Sequence, residues 1–241
     1  MQQGKRIITL IFFLLGLSLI AACTIQNQQS TQDRMNDGRV VFAITDAATD
    51  IGAVTSIKIT VESVKVHSET EGWVTVSSMQ KTYDLLQLKA QSKQELLADV
   101  TLKEGTYNQL RLDISRVVVI DASGSHEAKL PSGELKINGN LVVEENSTST
   151  ATFDFIADES LHITGNGQYI MTPVVQMETR QDANVSITIG NRVEIRNGRV
   201  NTNIKVGMNL DGDVGEGLKI KENVKLFIKE DKIIEESLSV D

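Results

Sequence analysis

The sequence predicts an all-β protein, in which a β-sandwich is followed by a smaller C-terminal β-hairpin unit. Apolar and polar residues alternate in many short runs, beginning with Val40, Phe42 and Ile44. Turn-forming residues separate the runs, and this combination is typical of sandwiches and barrels. Residues 92–98, SKQELLA, form the one segment with a helical pattern.

The chain begins with the layout of a secretory signal peptide over residues 1–22. Lys5 and Arg6 precede an apolar block at residues 7–20, and small residues follow it. A membrane-spanning helix needs about 20 predominantly apolar residues, whereas this block is shorter and contains a glycine and a serine. We therefore expect cleavage rather than an anchor helix.

Residues 19–23, LIAAC, place the single cysteine of the chain directly behind this block. The stretch resembles a bacterial lipobox, in which a small residue precedes an obligatory cysteine. The resemblance implies that Cys23 is lipidated, with palmitate as an expected fatty acid, and that cleavage after Ala22 makes it the new N-terminus. Two or more acyl chains hold a protein stably on a membrane, whereas one holds it only marginally.

The predicted anchor sets the location of the protein. We expect it in the cell envelope, on the outer face of the plasma membrane or, in a cell with two membranes, in the outer membrane. By resemblance to the sorting rule of such cells, Thr24 after the cysteine favours the outer membrane. Residues 23–37 are then the lipidated cysteine and a polar tether. With Cys23 lipidated, no thiol is left for a disulfide, so the fold depends on its core.

The charge of the chain argues against nucleic acid as a partner. The chain has 24 basic and 32 acidic residues, and loss of Lys5 and Arg6 leaves 22 basic residues and a net charge of −10. Phosphate backbones are bound by clusters of Lys and Arg, and the remaining sequence has no such cluster. The lipid at Cys23 is therefore the expected contact with the membrane.

Residues 38–180 carry the alternating runs of the predicted sandwich. Between Val61 and Val64 the apolar positions change parity, which predicts a β-bulge near Glu62 and Ser63. Residues 102–107, LKEGTY, resemble the tyrosine corner of β-sandwiches, in which a Tyr hydroxyl bonds to backbone a few residues upstream. An ordinary core tyrosine after a turn is the alternative.

Residues 181–241 form the predicted C-terminal unit. Short hairpin-like runs follow a polar segment, with Asn197 and Gly198 as a two-residue turn signal. Phe227 is the one aromatic residue between Val185 and Asp241. Such a small core is marginal by itself, so we expect this unit to pack against the first domain.

The order and spacing of several stretches resemble DUF4382, a domain of unknown function found mainly in prokaryotic exported lipoproteins. They include FAITDAATD (42–50), LLADVTLKEGTYNQLRLDI (96–114), FDFIADESL (153–161) and GQYIMTPVVQ (167–176). Family members usually carry proline after the TDA triplet, where this chain has Ala48. The resemblance covers about residues 38–180. It implies an all-β domain of transthyretin-like or immunoglobulin-like type, with no established activity or catalytic residues.

Acidic residues in two predicted loops are candidates for a cation site. Asp46 and Asp50 lie in TDAATD, and Asp158 lies in FDFIADES with Asp154 and Glu159. If both loops lie at one pole of the sandwich, their carboxylates form the oxygen-rich site that Ca²⁺ prefers. The alternative is turn formation, which Asp side chains commonly stabilise. Apart from this calcium ion, we expect no cofactor.

The remaining sequence offers little for catalysis, and we predict that the protein is not an enzyme. His67, His126 and His162 lie on separate segments without metal-ligand spacing, and HExxH and GxSxG are absent. Carbohydrate ligands usually need exposed aromatic platforms, and Trp73 is the one ring expected at an exposed strand edge. The preferred interpretation of Trp73 is a core or strand-pair anchor.

The expected function is a surface-displayed binding or structural module whose ligand is an envelope protein or a glycan. One alternative is an exported hydrolase built on loop carboxylates such as Asp46, Asp50 and Asp158. A second alternative is a sandwich that Ca²⁺ stabilises without catalysis. No motif in the sequence identifies the ligand.

Overall fold

The computed structural model describes residues 36–47, 51–220, 224–230 and 232–237. Strands dominate these residues, so the predicted all-β class is confirmed. Two larger sheets share one continuous apolar core. The predicted signal peptide and Cys23 lie outside the described residues. Within the described ranges, every helix is too short or too polar to traverse a bilayer.

The first sheet, sheet A, contains eight strands among the described residues. They are β1 (Asp37–Asp46), β5 (Gln94–Lys103), β9 (Thr148–Phe155), β12 (Val174–Gln181), β13 (Asn184–Thr188), β14 (Arg192–Arg196), β15 (Arg199–Met208) and β16 (Val214–Glu216). Their order is β13-β14-β5-β1-β9-β12-β15-β16. β1 and β9 run parallel and all other neighbours run antiparallel. The first strand of the domain therefore lies inside the sheet, between β5 and β9.

The second sheet, sheet B, is centred on β2 (Ser56–Ser68) and β6 (Gly105–Asp121), which pair along most of their length. β3 (Gly72–Ser77) and β4 (Lys81–Asp84) share the outer edge of β2. β7 (Gly124–Glu127) and β8 (Glu134–Val143) share the outer edge of β6. Each edge of sheet B is thus built from two short strands.

Four short strands and two short helices complete the described structure. β10 (Leu161–Ile163) pairs with β11 (Tyr169–Met171), and β17 (Val224–Lys229) pairs with β18 (Lys232–Ser237). The helices are α1 (Leu85–Ala90) and α2 (Ala157–Ser160). The helices lie in the connections that follow β4 and β9, so the framework of the fold consists of the sheets.

Alternation along the strands builds the core. Val40, Phe42 and Ile44 of β1 belong to the same buried cluster as Ile57 and Ile59 of β2. All five side chains are fully buried. Burial of each contributes about 1.5–3 kcal/mol, which suits a fold expected to have no disulfide.

The parity change predicted in β2 is a β-bulge. Its pairing with β6 shifts register between Thr60 and Val61 and again between Val61 and Ser63. Val61 and Val64 are both buried as a result. The prediction from the alternation pattern is confirmed.

The predicted helix at residues 92–98 is wrong. Residues 94–98 belong to β5, in which Ala98 lies opposite Phe42 of β1. Pairing with β1 overrides the local helical preference of this segment. The helix lies earlier, in α1, where Asp84 accepts a hydrogen bond from the backbone N–H of Gln87 at 3.3 Å and caps the first turn.

Sheet A continues across the expected domain boundary between residues 180 and 181. β12 spans this position, pairing with β9 on one side and β15 on the other. β13 to β16 belong to the same sheet. The β17–β18 hairpin packs separately, with Leu226 in a small cluster with Ile170 and Ile220. Much of the predicted C-terminal unit therefore completes the sandwich.

Asn197 and Gly198, the predicted two-residue turn, have the positive φ values that such a turn needs, 58° and 83°, but the chain neither turns nor bends at this dipeptide. The strands on either side of it pair elsewhere, however, because β14 pairs with β13 and β5, whereas β15 pairs with β12. The β13–β14 hairpin, at one end of sheet A, packs its apolar side chains against Val41 and Ala43 of β1. The predicted turn and the hairpin that it was expected to close are therefore both wrong.

Candidate functional site

Asp46 and Asp158, two of the three predicted cation ligands, lie near each other at one pole of the sandwich. Asp46 ends β1, and its Oδ1 accepts a hydrogen bond from the backbone N–H of Ala157 at 3.2 Å. Asp46 is only 4% exposed, and Asp158 follows Ala157 in α2. Asp50 lies outside the described residues. Over the described ranges, no three His, Cys, Asp or Glu side chains are grouped to hold a metal, so calcium binding stays a prediction.

Two further acidic residues of this region have separate environments. Glu159 forms an ion pair with Lys205 of β15, with Oε1 2.6 Å from Nζ. Asp154 lies between two core phenylalanines of β9, and burial raises the pKa of its carboxyl. Its Oδ1 is buried and has no hydrogen-bond partner among the described residues. Glu159 is thus already neutralised, whereas Asp154 is held where its charge is unfavourable.

A polar cluster that the sequence did not predict lies at the turn between β6 and β7. Oδ1 of Asp121 accepts hydrogen bonds from the Ser123 backbone N–H at 2.7 Å and the Ser123 hydroxyl at 2.6 Å. The N–H of Gly124 donates to the same oxygen at 3.1 Å. Oδ2 accepts from the hydroxyl of Tyr169 at 2.7 Å. Asp121 therefore ties this turn of sheet B to Tyr169 on β11.

These hydrogen bonds fix the protonation states of both partners. Bonds from Ser123 and Tyr169 hold the pKa of Asp121 well below its usual range. The bond to Asp121 in turn raises the pKa of Tyr169 to about 12. Asp121 is therefore a carboxylate and Tyr169 a neutral phenol at physiological pH, and the bond between them is charge-assisted.

The cluster contains serine, histidine and aspartate, but its geometry differs from that of a catalytic triad. In a triad, one ring nitrogen of histidine faces the serine and the other faces the carboxylate. Here the same atom, Nε2 of His126, lies 2.8 Å from Ser123 Oγ and 3.1 Å from Asp121 Oδ1. The arrangement holds the imidazole in place and provides no relay from a nucleophile through the ring to the carboxylate.

His126 and Tyr169 help to line a cavity of about 520 Å³. Their rings lie 5.7 Å apart at the centroids. Arg116 at the cavity pairs with Glu127 at 3.2 Å. Besides His126 and Tyr169, four polar or basic residues line the cavity: Ser115, Arg116, Lys129 and Gln168. A cavity of this volume lies within the range of small-ligand sites.

Trp73 is exposed on the outer face of sheet B. It lies opposite His67 in the β2–β3 pair, with ring centroids 5.1 Å apart, as the strand-pair interpretation expects. The guanidinium of Arg111 lies over the indole, 4.5 Å from its centroid. Trp73 nevertheless remains 41% exposed, so it is both a strand-pair residue and an exposed ring.

The other two histidines considered in the sequence analysis, His67 and His162, are not among the residues that line the cavity. Nδ1 of His67 lies 3.2 Å from Oδ1 of Asn108. His162 on β10 has Nε2 3.0 Å from the hydroxyl of Thr172, and burial lowers its pKa. Only His126 joins a polar cluster of the described residues.

Sequence reasoning missed the Asp121 cluster for a physical reason. The local sequence indicates only an Asp-stabilised turn, since Asp121 is followed by Ser123 and Gly124. Tyr169 lies 48 residues away in the sequence, so its contact with Asp121 depends on how β11 meets sheet B. No periodicity in either segment encodes that approach.

Comparison with known proteins gives one family. A family model described as a domain of unknown function (DUF4382) matches residues 37–173, more than half of the chain. The match begins at β1 and ends before β12, and it includes Asp46, the β6–β7 turn and Tyr169. Searches of curated proteins and of solved structures gave no match.

Proposed function

Because the chain belongs to the DUF4382 family, a domain of unknown function, its role has to be inferred from its own residues, and we propose a lipid-anchored binding module of the cell envelope. The lipid is attached at Cys23, and the polar residues between it and β1 form the tether. The sandwich presents its ligand site to the surroundings of the membrane. The ligand occupies the cavity beside Arg116, His126 and Tyr169.

The observation that carries this proposal is the fixed wall of the cavity. Asp121 receives hydrogen bonds from Ser123, Gly124 and Tyr169, and His126 lies against the same carboxylate. Side chains held in this way lose little conformational entropy when a ligand binds, which favours affinity. The wall is therefore organised before the ligand arrives.

Two features favour binding over hydrolysis. His126 uses a single ring nitrogen toward both Ser123 and Asp121, so Ser123 lacks the base geometry of a triad nucleophile. Asp46, the first of the loop carboxylates proposed for a hydrolase, is almost fully buried and accepts a bond from the Ala157 backbone. A substrate has little access to that carboxylate.

The test is a ligand screen on the purified lipidated protein in detergent. The probes are neutral oligosaccharides, acidic oligosaccharides and peptides of envelope proteins, and the readout is the melting temperature. We expect a member of one class to raise the melting temperature, and Arg116→Ala and Gln168→Ala to reduce that rise. Arg199→Ala, which changes an exposed arginine of sheet A, is the matched control and keeps the rise.

Two results would contradict the proposal. One is a panel in which no probe shifts the melting temperature of the parent. The other is turnover of an ester, glycoside or peptide substrate that a single loop-carboxylate substitution abolishes. The second result would favour the exported hydrolase instead.

A further inference from the structure

The outer face of sheet B carries a furrow that begins at the cavity. Ser115 and Arg116 line both the cavity and a second hollow of about 480 Å³. Glu62 and Gln80 line this second hollow and a third one of about 510 Å³. Because hollows that share lining residues adjoin each other, the three form one elongated depression, which we call the furrow.

The bulges of β2 account for the furrow. β4 pairs with β2 over residues 58–61, and β3 pairs with it over residues 64–68. Glu62 and Ser63 lie between these two pairings, at the point where the register with β6 also shifts. A bulge bends its strand and increases the local twist. The sheet therefore has a gap along its edge here, and the second and third hollows lie beside it.

The furrow presents balanced charge and many hydrogen-bonding groups. Three of its cations have acidic partners within 3.2 Å: Lys65 with Asp113, Lys81 with Glu95, and Arg116 with Glu127. The hydroxyls of Thr60 and Thr82 lie 2.9 Å apart, and the amide of Gln80 donates to Glu62 at 3.4 Å. A surface of this kind offers donors and acceptors together and has no excess of one sign that would select a polyanion or a polycation.

Trp73 lies at the end of the furrow remote from the cavity. It is two residues from Thr75, which lines the third hollow, and Arg111 over its ring is two residues from Asp113 of the same hollow. Arg111 and Arg116 are five residues apart on β6, which corresponds to roughly 17 Å along a strand. An exposed ring and the cavity therefore lie at opposite ends of an elongated polar surface.

We infer that the furrow binds one extended, uncharged polysaccharide chain, with one sugar ring against Trp73 and the chain continuing past Gln80 into the cavity at Arg116. This inference rests on the proposed function, since it names the ligand class of the same cavity. Sugar hydroxyls are both donors and acceptors, so they match the mixed lining of the furrow. An aromatic side chain supplies apolar contact area at a low cost in conformational entropy.

An extended peptide fits the furrow less well. Peptides commonly add a strand to an open sheet edge through main-chain hydrogen bonds. β3 and β4 pair with the outer edge of β2 on the two sides of Glu62 and Ser63, so the open edge at the furrow is two residues long, too short to pair with an added strand. The lining also has few apolar side chains that could hold alternate residues of a peptide.

Affinity gel electrophoresis of the full lipidated protein tests the inference. The probes are three soluble neutral polysaccharides, a β-glucan, a mannan and a xylan, with the polyanion alginate for comparison. We expect retardation by a neutral polysaccharide, about tenfold weaker binding in Trp73→Ala, and weaker binding in Gln80→Ala. Ile189→Ala is the matched control, because Ile189 is fully exposed at the tip of the β13–β14 hairpin. Melting temperatures equal to that of the parent show that each variant is folded.

The outcomes separate the inference from the proposed function. If a neutral polysaccharide retards the protein and Trp73→Ala and Gln80→Ala do not change the retardation, the furrow is not the binding surface. The ligand site is then confined to the cavity. If alginate or an envelope peptide binds and Arg116→Ala abolishes the binding, the inference of an uncharged polysaccharide ligand is overturned, whereas the proposed binding module stands. If neither polysaccharide nor peptide binds, both proposals fall.

Discussion

The hydroxyl of Tyr107 donates a hydrogen bond to the carbonyl oxygen of Lys103, 3.2 Å away, across the turn between β5 and β6. This is the tyrosine corner that LKEGTY resembles. The ring of Tyr107 is buried in the main core, so the hydroxyl connects the end of sheet A to the beginning of sheet B. We expect Tyr107→Phe to lower the free energy of unfolding by about 1 kcal/mol.

Urea denaturation measures this loss. Tyr107→Leu serves for comparison, because it removes core volume as well and should cost more than the loss of the hydroxyl alone. A Tyr107→Phe variant as stable as the parent would show that the corner contributes nothing.

Acid should weaken the β6–β7 turn through Asp121. Its pKa is lowered in the folded protein by bonds from Ser123 and Tyr169, so its stabilisation is present above the ordinary carboxylate pKa near 4 and is lost as the pH falls further. Asp121→Asn should therefore destabilise the protein at pH 6 and flatten the decline in melting temperature below about pH 4. Ser123→Ala removes one donor and should give an intermediate decline. An unchanged decline in Asp121→Asn would contradict the assignment.

Asp154→Asn should stabilise the protein at neutral pH. Burial raises the pKa of this carboxyl, so its contribution to stability is present at low pH and is lost as the pH rises through the folded-state value. The neutral amide avoids the cost of the buried charge. The melting temperature at pH 7 should rise in the variant, and the difference from the parent should shrink toward pH 3. A lower melting temperature at pH 7 would show that the charged form is needed.

Calcium remains a testable expectation for the loops of Asp46 and Asp158. Millimolar Ca²⁺ should raise the melting temperature of the parent, and Asp158→Ala should abolish the gain. Asp46→Ala is less decisive, because it also removes the hydrogen bond to the N–H of Ala157. Mg²⁺ at the same concentration is the control, since its smaller shell fits such loops poorly. Equal melting temperatures with and without Ca²⁺ would exclude the site.

Lipidation predicts a single processed N-terminus. Mass spectrometry of the membrane fraction should find a mature chain that begins at acylated Cys23 and lacks residues 1–22. Cys23→Ser should leave the precursor unprocessed or release the protein from the membrane. A parent protein with an unmodified Cys23 or an intact Met1 would refute the anchor.

Features encoded within one strand could be predicted from the sequence. The alternation in β1, the bulge of β2 and the corner at Tyr107 each depend on a few neighbouring residues. β5 could not be predicted in this way, because its pairing with β1 decides between strand and helix for residues 94–98. The pairing of β14 and β15 likewise depends on β5 and β12 rather than on Asn197 and Gly198 between them.

The same distinction, between features set by neighbouring residues or strands and features set by distant strands, applies to the candidate site. Asp46 contacts the backbone of Ala157, next to Asp158, because β1 and β9 run side by side and end at the same pole. The contact of Tyr169 with Asp121 joins strands of different sheets. The furrow arises where the outer edge of β2 changes its partner from β4 to β3. The sequence of β2 alone does not encode this change of partner.

The pairing of β9 with β12 has a consequence for the proposed export of this protein. The family match ends at residue 173, immediately before β12, so residues 37–173 alone would leave one side of β9 with unpaired backbone groups. Such an edge recruits strands from other chains. A chain that crosses a membrane from its N-terminus delivers β1, β5 and β9 before β12 and β15. We therefore expect β12 to protect this edge of β9 from association with other chains, and a protein halted in translocation before β12 to be held by chaperones or degraded.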